Sequence, residues 1–265
     1  MNLAGATALV TGANRGIGRA LVERLSELPL RTVLAGVRSV EDFSAPPPPP
    51  AGAREVRAVR MDLSSRASID ECCAELGEDL GEIDLLVNNA GLMTGGLLEE
   101  QAMEEVYAMF QVNLVAVTHL TQRVLPGMLE HRRGTIVNNA SISGYAYFPA
   151  ASTYAASKAG VVAFTESLRR ELRGTGVHAM HTVTPGVETD MLKDTDEVYG
   201  RHMDTSGWDR IGPREWAAKV VSAIEDDRRV LGPGGRSSLA KLAAHAPAFV
   251  LDTITARLFS REPRH

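Results

Sequence analysis

Residues 7–25 read TALVTGANRGIGRALVERL, and the order of its parts decides the fold. A short β-branched and apolar run, Thr7 to Gly12, passes through Gly12, Gly16 and Gly18 into a stretch of helical character predicted to run from Gly16 to Leu28. Glycine at such a junction permits tight backbone conformations. It also removes the Cβ atoms that would hold an anion away from the helix N-terminus, where free N–H groups and the helix dipole favour negative charge. The turn therefore reads as a cradle for a diphosphate, with a simple tight turn as the competing reading. Its spacing, Gly-x-x-x-Gly-x-Gly, differs from the commoner Gly-x-Gly-x-x-Gly of dinucleotide sites.

Working outward, the same alternation repeats. Strands are predicted at Arg31 to Arg38, Arg54 to Asp62, and in segments beginning at Ile83, Gly134, Val177 and, weakly, Arg228. Helices are predicted at Ser65 to Leu80, Leu98 to Glu130 with an interruption near Pro126, Ser152 to Arg173 and Pro213 to Asp226. Strands that alternate with helices imply crossover connections, hence an α/β fold with a mostly parallel sheet covered by helices on both faces. The run Pro46 to Pro50 cannot be helix and reads as an extended surface spacer. Residues 1–232 are expected to form one domain, and 233–265 a tail of two short amphipathic helices on its edge. The apolar face of that tail, Leu239, Leu242, Phe249, Val250, Ile254, Leu258 and Phe259, would serve equally to cover the domain or to meet a membrane surface or second subunit.

Bulk properties narrow the function. The 265 residues carry a formal net charge of −5, which gives no basic face for nucleic acid. A charged fraction of 23% and a hydrophobic fraction of 44% describe a soluble globular chain, and no apolar run reaches the roughly 20 residues that span a bilayer. Cys72 and Cys73 are sequence neighbours, unable to staple the fold, and read as reduced packing residues of a cytoplasmic protein. His119, His178 and His181 show no metal-ligand spacing, so no metal is expected.

The second strand tells which nucleotide. A carboxylate at its end would accept bonds from an adenosine ribose, whereas an arginine accommodates a 2′-phosphate. Here Val37 stands where the acid would be and Arg38 follows it. A guanidinium attracts phosphate and can bond to it in bidentate fashion, and Arg15 adds a second positive charge. NADP(H) is thus expected rather than NAD(H). Asp62 either bonds the adenine amino group or caps the helix that follows in DLSS.

Tyr154 and Lys158, in STYAASKAG, fall four residues apart on one predicted helix face. A phenol with an ordinary pKa of about 10 needs its anion stabilised to carry protons near neutrality, and a neighbouring ammonium can do that. Together with TGANRGIG from Thr11, NNAG from Asn88, Asn113 in FQVNL, Ser141 in NASISG and PGVETDM from Pro185, this segment resembles the short-chain dehydrogenase/reductase family from about Ala6 to Met191. The resemblance implies a Rossmann-type, doubly wound, seven-stranded sheet and an oxidoreductase that moves hydride between NADP(H) and a carbonyl or secondary alcohol. It implies Tyr154 as general acid/base, Lys158 as the group that lowers its pKa and holds the nicotinamide ribose, Ser141 as the group orienting the substrate oxygen, and Asn113 as the anchor of a water relay. Ser143 competes with Ser141, which is preferred because family members place the serine thirteen residues before the tyrosine. Ala140 replaces a second serine common in the family.

The same resemblance assigns the cofactor to Gly12, Asn14, Arg15, Gly16, Ile17 and Gly18, to Arg38, Asp62 and Leu63, to Asn89, Ala90 and Gly91, to Tyr154 and Lys158, and to Pro185, Gly186, Val187 and Thr189. It also suggests a homodimer or homotetramer built through the helices Leu98 to Arg123 and Ser152 to Arg173. Residues Leu192 to Ile211 lack a clear period and are expected to form a lid. Met191, Leu192, Met203 and Trp208, with Tyr145, Tyr147 and Phe148, are the candidate lining of an apolar substrate pocket. A non-catalytic NADP(H)-binding sensor or scaffold on the same fold is the alternative, since fold alone does not establish activity.

Overall fold

A computed structural model describes residues 1–205, 208–235, 237–238, 252–253, 255–256 and 258–262, with the backbone alone at 194–198. The strands are β1 (Thr7–Thr11), β2 (Thr32–Val37), β3 (Glu55–Arg60), β4 (Ile83–Asn88), β5 (Gly134–Ser141), β6 (Val177–Thr184), β7 (Gly186–Val187), β8 (Arg210–Ile211) and β9 (Val230–Leu231). The α-helices are α1 (Gly16–Ser26), α2 (Arg66–Leu76), α3 (Met103–Phe110), α4 (Ala116–Glu130), α5 (Ser143–Ala146), α6 (Ser152–Glu171), α7 (Asp190–Gly200) and α8 (Pro213–Glu225). Seven strands form one sheet in the order β3-β2-β1-β4-β5-β6-β9, every pair parallel. The remaining two, β7 and β8, make a small parallel ribbon beside it.

The sheet is buried on both sides, which is why its strands are nearly continuous in apolar residues. Alternate residues of β1 point to opposite faces. Ala8 and Val10 join a core with Leu21, Val22 and Leu25 of α1 and Trp216, Val220 and Ile224 of α8. Leu9 joins a second core with Ile69, Cys72 and Cys73 of α2, Leu120, Val124 and Met128 of α4 and Leu168 of α6. Both cysteines are free thiols, and burial pushes Cys72 up to about 12. The chain runs outward from β1 in one direction through β2 and β3 and in the other through β4 onward, so the order reverses between β1 and β4. In open α/β sheets a crevice opens there, at the carboxyl ends of the strands.

Several expectations need revision. The predicted helix from Leu98 to Glu130 is a 3₁₀ turn at Leu98–Glu100, α3, a π-helical turn at Gln111–Val115 and then α4. Pro126 lies inside α4 without breaking it; the real break falls before α3, where Ala102 is extended at φ −68° and ψ 123°. The predicted lid contains a regular helix, α7, that its sequence period does not announce. Most of the proposed apolar face of the tail lies outside the described residues. Of the part described, Phe259 bridges antiparallel to Met203, Ser260 N–H donates to the His202 carbonyl at 2.8 Å, and Arg261 pairs with Glu99. Among the described residues no helix is long and apolar enough to cross a membrane.

Candidate active site

At the crevice, the glycine turn is shaped by contacts that leave no room for side chains. Gly12 has φ +65°, and a Cβ on it would come within 2.9 Å of Ala90 Cα. A Cβ on Gly18 would lie 2.1 Å from the Gly12 carbonyl oxygen. The two positions clamp α1 against the end of β4 as only glycine allows. Arg15 is the N-cap of α1 and makes no side-chain cap, and the first turn holds no acidic residue. The N–H groups of that turn are thus free to meet an anion from outside. This cradle and the uncapped helix end fit a dinucleotide diphosphate.

The neighbouring strand ends are tied to the turn. Thr11 Oγ accepts from the N–H groups of Asn89 and Ala90, both at 3.0 Å, and the Asn89 amide donates to the Thr11 carbonyl at 3.0 Å. Asn89 is therefore a brace between β1 and β4, and Thr11, which opens the TGANRGIG motif but was given no role of its own, is the other half of that tie. At the end of β2, Arg38 is exposed on the rim and draws the Asp62 carboxyl downward. The larger cause of that shift is Ser64, whose hydroxyl and N–H donate to Asp62 Oδ1 at 2.7 and 2.9 Å. Asp62 thus closes a turn and does not cap the helix; the cap of α2 is Ser65, which accepts from Ser68 N–H. Both Asp62 and Leu63 still face the crevice.

Every catalytic and cofactor-binding residue predicted from the sequence lines one cleft, from the glycine turn through Arg38, Asp62 and Leu63 to Ser141, Tyr154, Lys158 and the segment 185–189, with the exception of Asn113. Tyr154 and Lys158 are both buried on the inner face of α6. The Lys158 ammonium donates to the Asn139 carbonyl at 2.8 Å and sits 5.9 Å from the centre of the Tyr154 ring. Burial pushes the Tyr154 phenol up to about 12, against a hydrogen bond from Ser141 that pulls it down. Burial also draws Lys158 down to about 8. Lys158 is not among the causes of the tyrosine's shift: in the chain by itself burial dominates the phenol, and the ammonium is turned toward a carbonyl. The serine in contact with Tyr154 is Ser141; Ser143 N–H donates to Ser141 Oγ at 3.2 Å and supports it.

Asn113 sits fully buried in the π turn. Its Oδ1 accepts from Leu92 N–H and its amide donates to the Leu92 carbonyl, both at 2.8 Å, and also to Ser157 Oγ at 3.1 Å. Ser157 in turn donates to the Tyr154 carbonyl at 2.8 Å. Both amide hydrogens are spent on protein, leaving one lone pair of Oδ1 for anything else. Asn139, unremarked in the sequence, anchors the far side: its Oδ1 accepts from Thr182 at 2.9 Å and from Thr184.

Beyond the tyrosine the cleft turns apolar, lined by Leu92, Met93, Met191, Leu192 and Trp208. Other candidates for the pocket lie elsewhere. Met203 is buried in a satellite core, Phe148 packs on Trp208 at 5.5 Å, Tyr147 projects into solvent, and Tyr145 pairs its hydroxyl with His181 Nε2 at 2.6 Å. Leu92 and Met93 were missed, since nothing in their local sequence separates them from loop residues. Thr189 lines the cleft, and its hydroxyl donates to the Val187 carbonyl at 3.2 Å.

Comparison with known proteins agrees with this geometry. The family described as short chain dehydrogenase matches residues 6–200. The 3-oxoacyl-[acyl-carrier-protein] reductase FabG of Vibrio cholerae is 35% identical over 229 residues, covering 83% of this chain and 90% of that protein. The ketoacyl reductase HetN of a Nostoc species is 34% identical, over 84% of this chain and 77% of that protein. Among solved structures, a short chain dehydrogenase from Burkholderia cenocepacia in complex with NADP superposes with a TM-score of 0.81 at 26% identity, covering 96% of this chain and 99% of that one. One from Burkholderia phymatum in complex with NAD has a TM-score of 0.77 at 26% identity, covering 96% of each. By the extent of the family match and by these relatives, the chain belongs to the short chain dehydrogenase family.

Proposed function

We propose that the chain is an NADP(H)-dependent oxidoreductase that interconverts a ketone and a secondary alcohol, with a medium-sized, largely apolar substrate. The observation that carries this reading is the meeting of Ser141, Tyr154 and Lys158 in one cleft with an uncapped, side-chain-free helix N-terminus. When bound, the nicotinamide supplies or accepts the hydride. Gly12, Asn14, Arg15, Gly16, Ile17 and Gly18 would hold the diphosphate. Arg38 would hold the 2′-phosphate, Asp62 and Leu63 the adenine, and Asn89, Ala90, Gly91, Pro185, Gly186, Val187 and Thr189 the remainder. Solved relatives carry either nucleotide, so the choice of NADP(H) rests on Arg38.

The residues divide the work. A phenol held up near 12 is protonated at neutral pH, which suits it to give a proton to the oxygen of a carbonyl under reduction. Ser141 donates to that same oxygen and fixes its place beside Tyr154. The phenolate left behind is stabilised by the Lys158 ammonium, which remains charged below about 8. Asn113 acts as a positioning residue through Ser157 and holds the Leu92 loop, with one Oδ1 lone pair open to a relay water. The exposed apolar residues Met103, Tyr107 and Val115 along α3 and the π turn support assembly into a dimer or tetramer. The two reduced cysteines support a cytoplasmic setting. A fluorescence titration with NADPH and NADH, followed by turnover on a panel of ketones and alcohols, tests the reading. Binding without turnover of any member would favour the sensor alternative, and the absence of binding would end both.

A further inference from the structure

Each crossover of the main sheet carries an α-helix except the one from β2 to β3, residues 38–54, which holds neither helix nor strand and begins with Arg38. No residue from Arg38 to Gly52 is buried. The loop is nevertheless pinned to α1 at two points. At the first, Phe43 N–H donates to the Val40 carbonyl at 3.1 Å, closing a turn, and the Phe43 ring packs against the core beside α1. Over that ring stands the Arg19 guanidinium, 5.4 Å from its centre, which also donates to the Ser44 carbonyl and, through Nε at 2.9 Å, to the Glu23 carboxylate. Arg19 follows Arg15 by one turn of α1, its N–H donating to the Arg15 carbonyl at 3.2 Å, and Arg15 lines the cleft. At the second point, Ala53 N–H donates to the carbonyl of Ser26, the last residue of α1, at 2.9 Å.

An exposed loop that its ligand has to order loses affinity to that ordering, whereas a loop already held does not. A guanidinium over the face of an aromatic ring is attracted to it even at an exposed site. Here the guanidinium is occupied by the ring, a carbonyl and a carboxylate, so Arg19 holds the loop rather than a ligand. We propose that Phe43 and Arg19 are positioning residues for a 2′-phosphate: they clasp the β2–β3 loop to α1 and so fix the backbone from which Arg38 reaches, in a set relation to the glycine turn. A nucleotide that lacks the 2′-phosphate makes no use of the clasp. This rests on the NADP(H) reading above and gives its discrimination a second part, remote from the phosphate itself.

The test measures KM and kcat for NADPH and for NADH on one ketone, and by calorimetry, without turnover, the affinities for adenosine 2′,5′-bisphosphate and for 5′-AMP. Phe43→Ala should raise KM for NADPH by about tenfold and weaken the bisphosphate by a similar factor, while kcat and the values for NADH and 5′-AMP stay within about twofold of the parent. Phe43→Tyr keeps the ring and should keep the parent values. Arg19→Met alters only the surface of α1 and carries the same test should Phe43→Ala not fold. In the double variant the two losses should not add, because both substitutions cut one clasp. Losses that multiply would make Arg19 a direct phosphate ligand, and a KM that rises alike for both cofactors would make the contact ordinary packing. Either result overturns the assignment, as does an unchanged preference in Phe43→Ala. A parent that binds the bisphosphate no better than 5′-AMP overturns instead the role of Arg38 and the choice of NADP(H), and the clasp's purpose with them.

Discussion

At the scale of single residues, burial moves Tyr154 up and Lys158 down, and the two shifts have opposite consequences for pH. The phenol keeps its proton well past neutrality, so its ionisation does not limit carbonyl reduction there. The ammonium is present below about 8 and is lost as pH rises through that value. Reduction measured at saturating cofactor should therefore hold level up to about pH 8 and then fall by up to about tenfold per unit. A rate that stays flat to pH 10 would remove Lys158 from the mechanism. Replacing Tyr154 with Phe removes the proton donor and should cost about 10²- to 10⁴-fold in kcat, with cofactor affinity nearly kept, as a binding titration would show. At the rim, Arg38→Asp exchanges attraction for repulsion at a 2′-phosphate. The ratio of kcat/KM for NADPH over NADH should drop by about 10- to 100-fold, and an unchanged ratio would free Arg38 of its role.

Elements matter through the way their ends are tied. Thr11, at the last position of β1, satisfies two N–H groups at the end of β4. Thr11→Val keeps the shape and strands the Ala90 N–H, while Asn89 N–H keeps the Val87 carbonyl at 3.0 Å, so unfolding by denaturant should show a loss of about 1–3 kcal/mol, together with weaker cofactor binding. Such ties explain what could be read from the chain and what could not. The strand and helix alternation, the glycine turn and the Tyr154–Lys158 pair are local patterns, and local patterns survive into the fold. The π turn around Asn113 carries no periodic signal. Helix α7 was hidden because Tyr199, its one buried residue among those described, packs against the loops at Gly95 and Ala150, far away in sequence. The break before α3, misplaced at Pro126, shows that a proline near a helix end is a weaker marker than an extended backbone at Ala102. Tyr145 looked like pocket lining by its nearness to Ser141; its partner, His181, comes from the adjacent strand and became visible only when β5 and β6 were paired.

For the whole molecule, the sheet separates two cores that share no side chains. Leu21→Ala in the α1 core and Leu120→Ala in the α4 core should each cost about 2–5 kcal/mol. The losses should add to within about 0.5 kcal/mol in the double variant, because the sites lie on opposite faces of the sheet. A large departure from the sum would mean that the sheet transmits strain between its faces. The cleft at the β1–β4 reversal collects residues from Gly12 at one extreme to Trp208 at the other, so no short stretch of chain owns it. A fragment that stops before β5 would keep the glycine turn and lose Ser141, Tyr154 and Lys158 together. Saturation with dinucleotide at a hundred times its Kd would protect the intact chain by about 2.7 kcal/mol, and a protease nick anywhere between Gly12 and Trp208 that let the halves part would erase that protection in a single step.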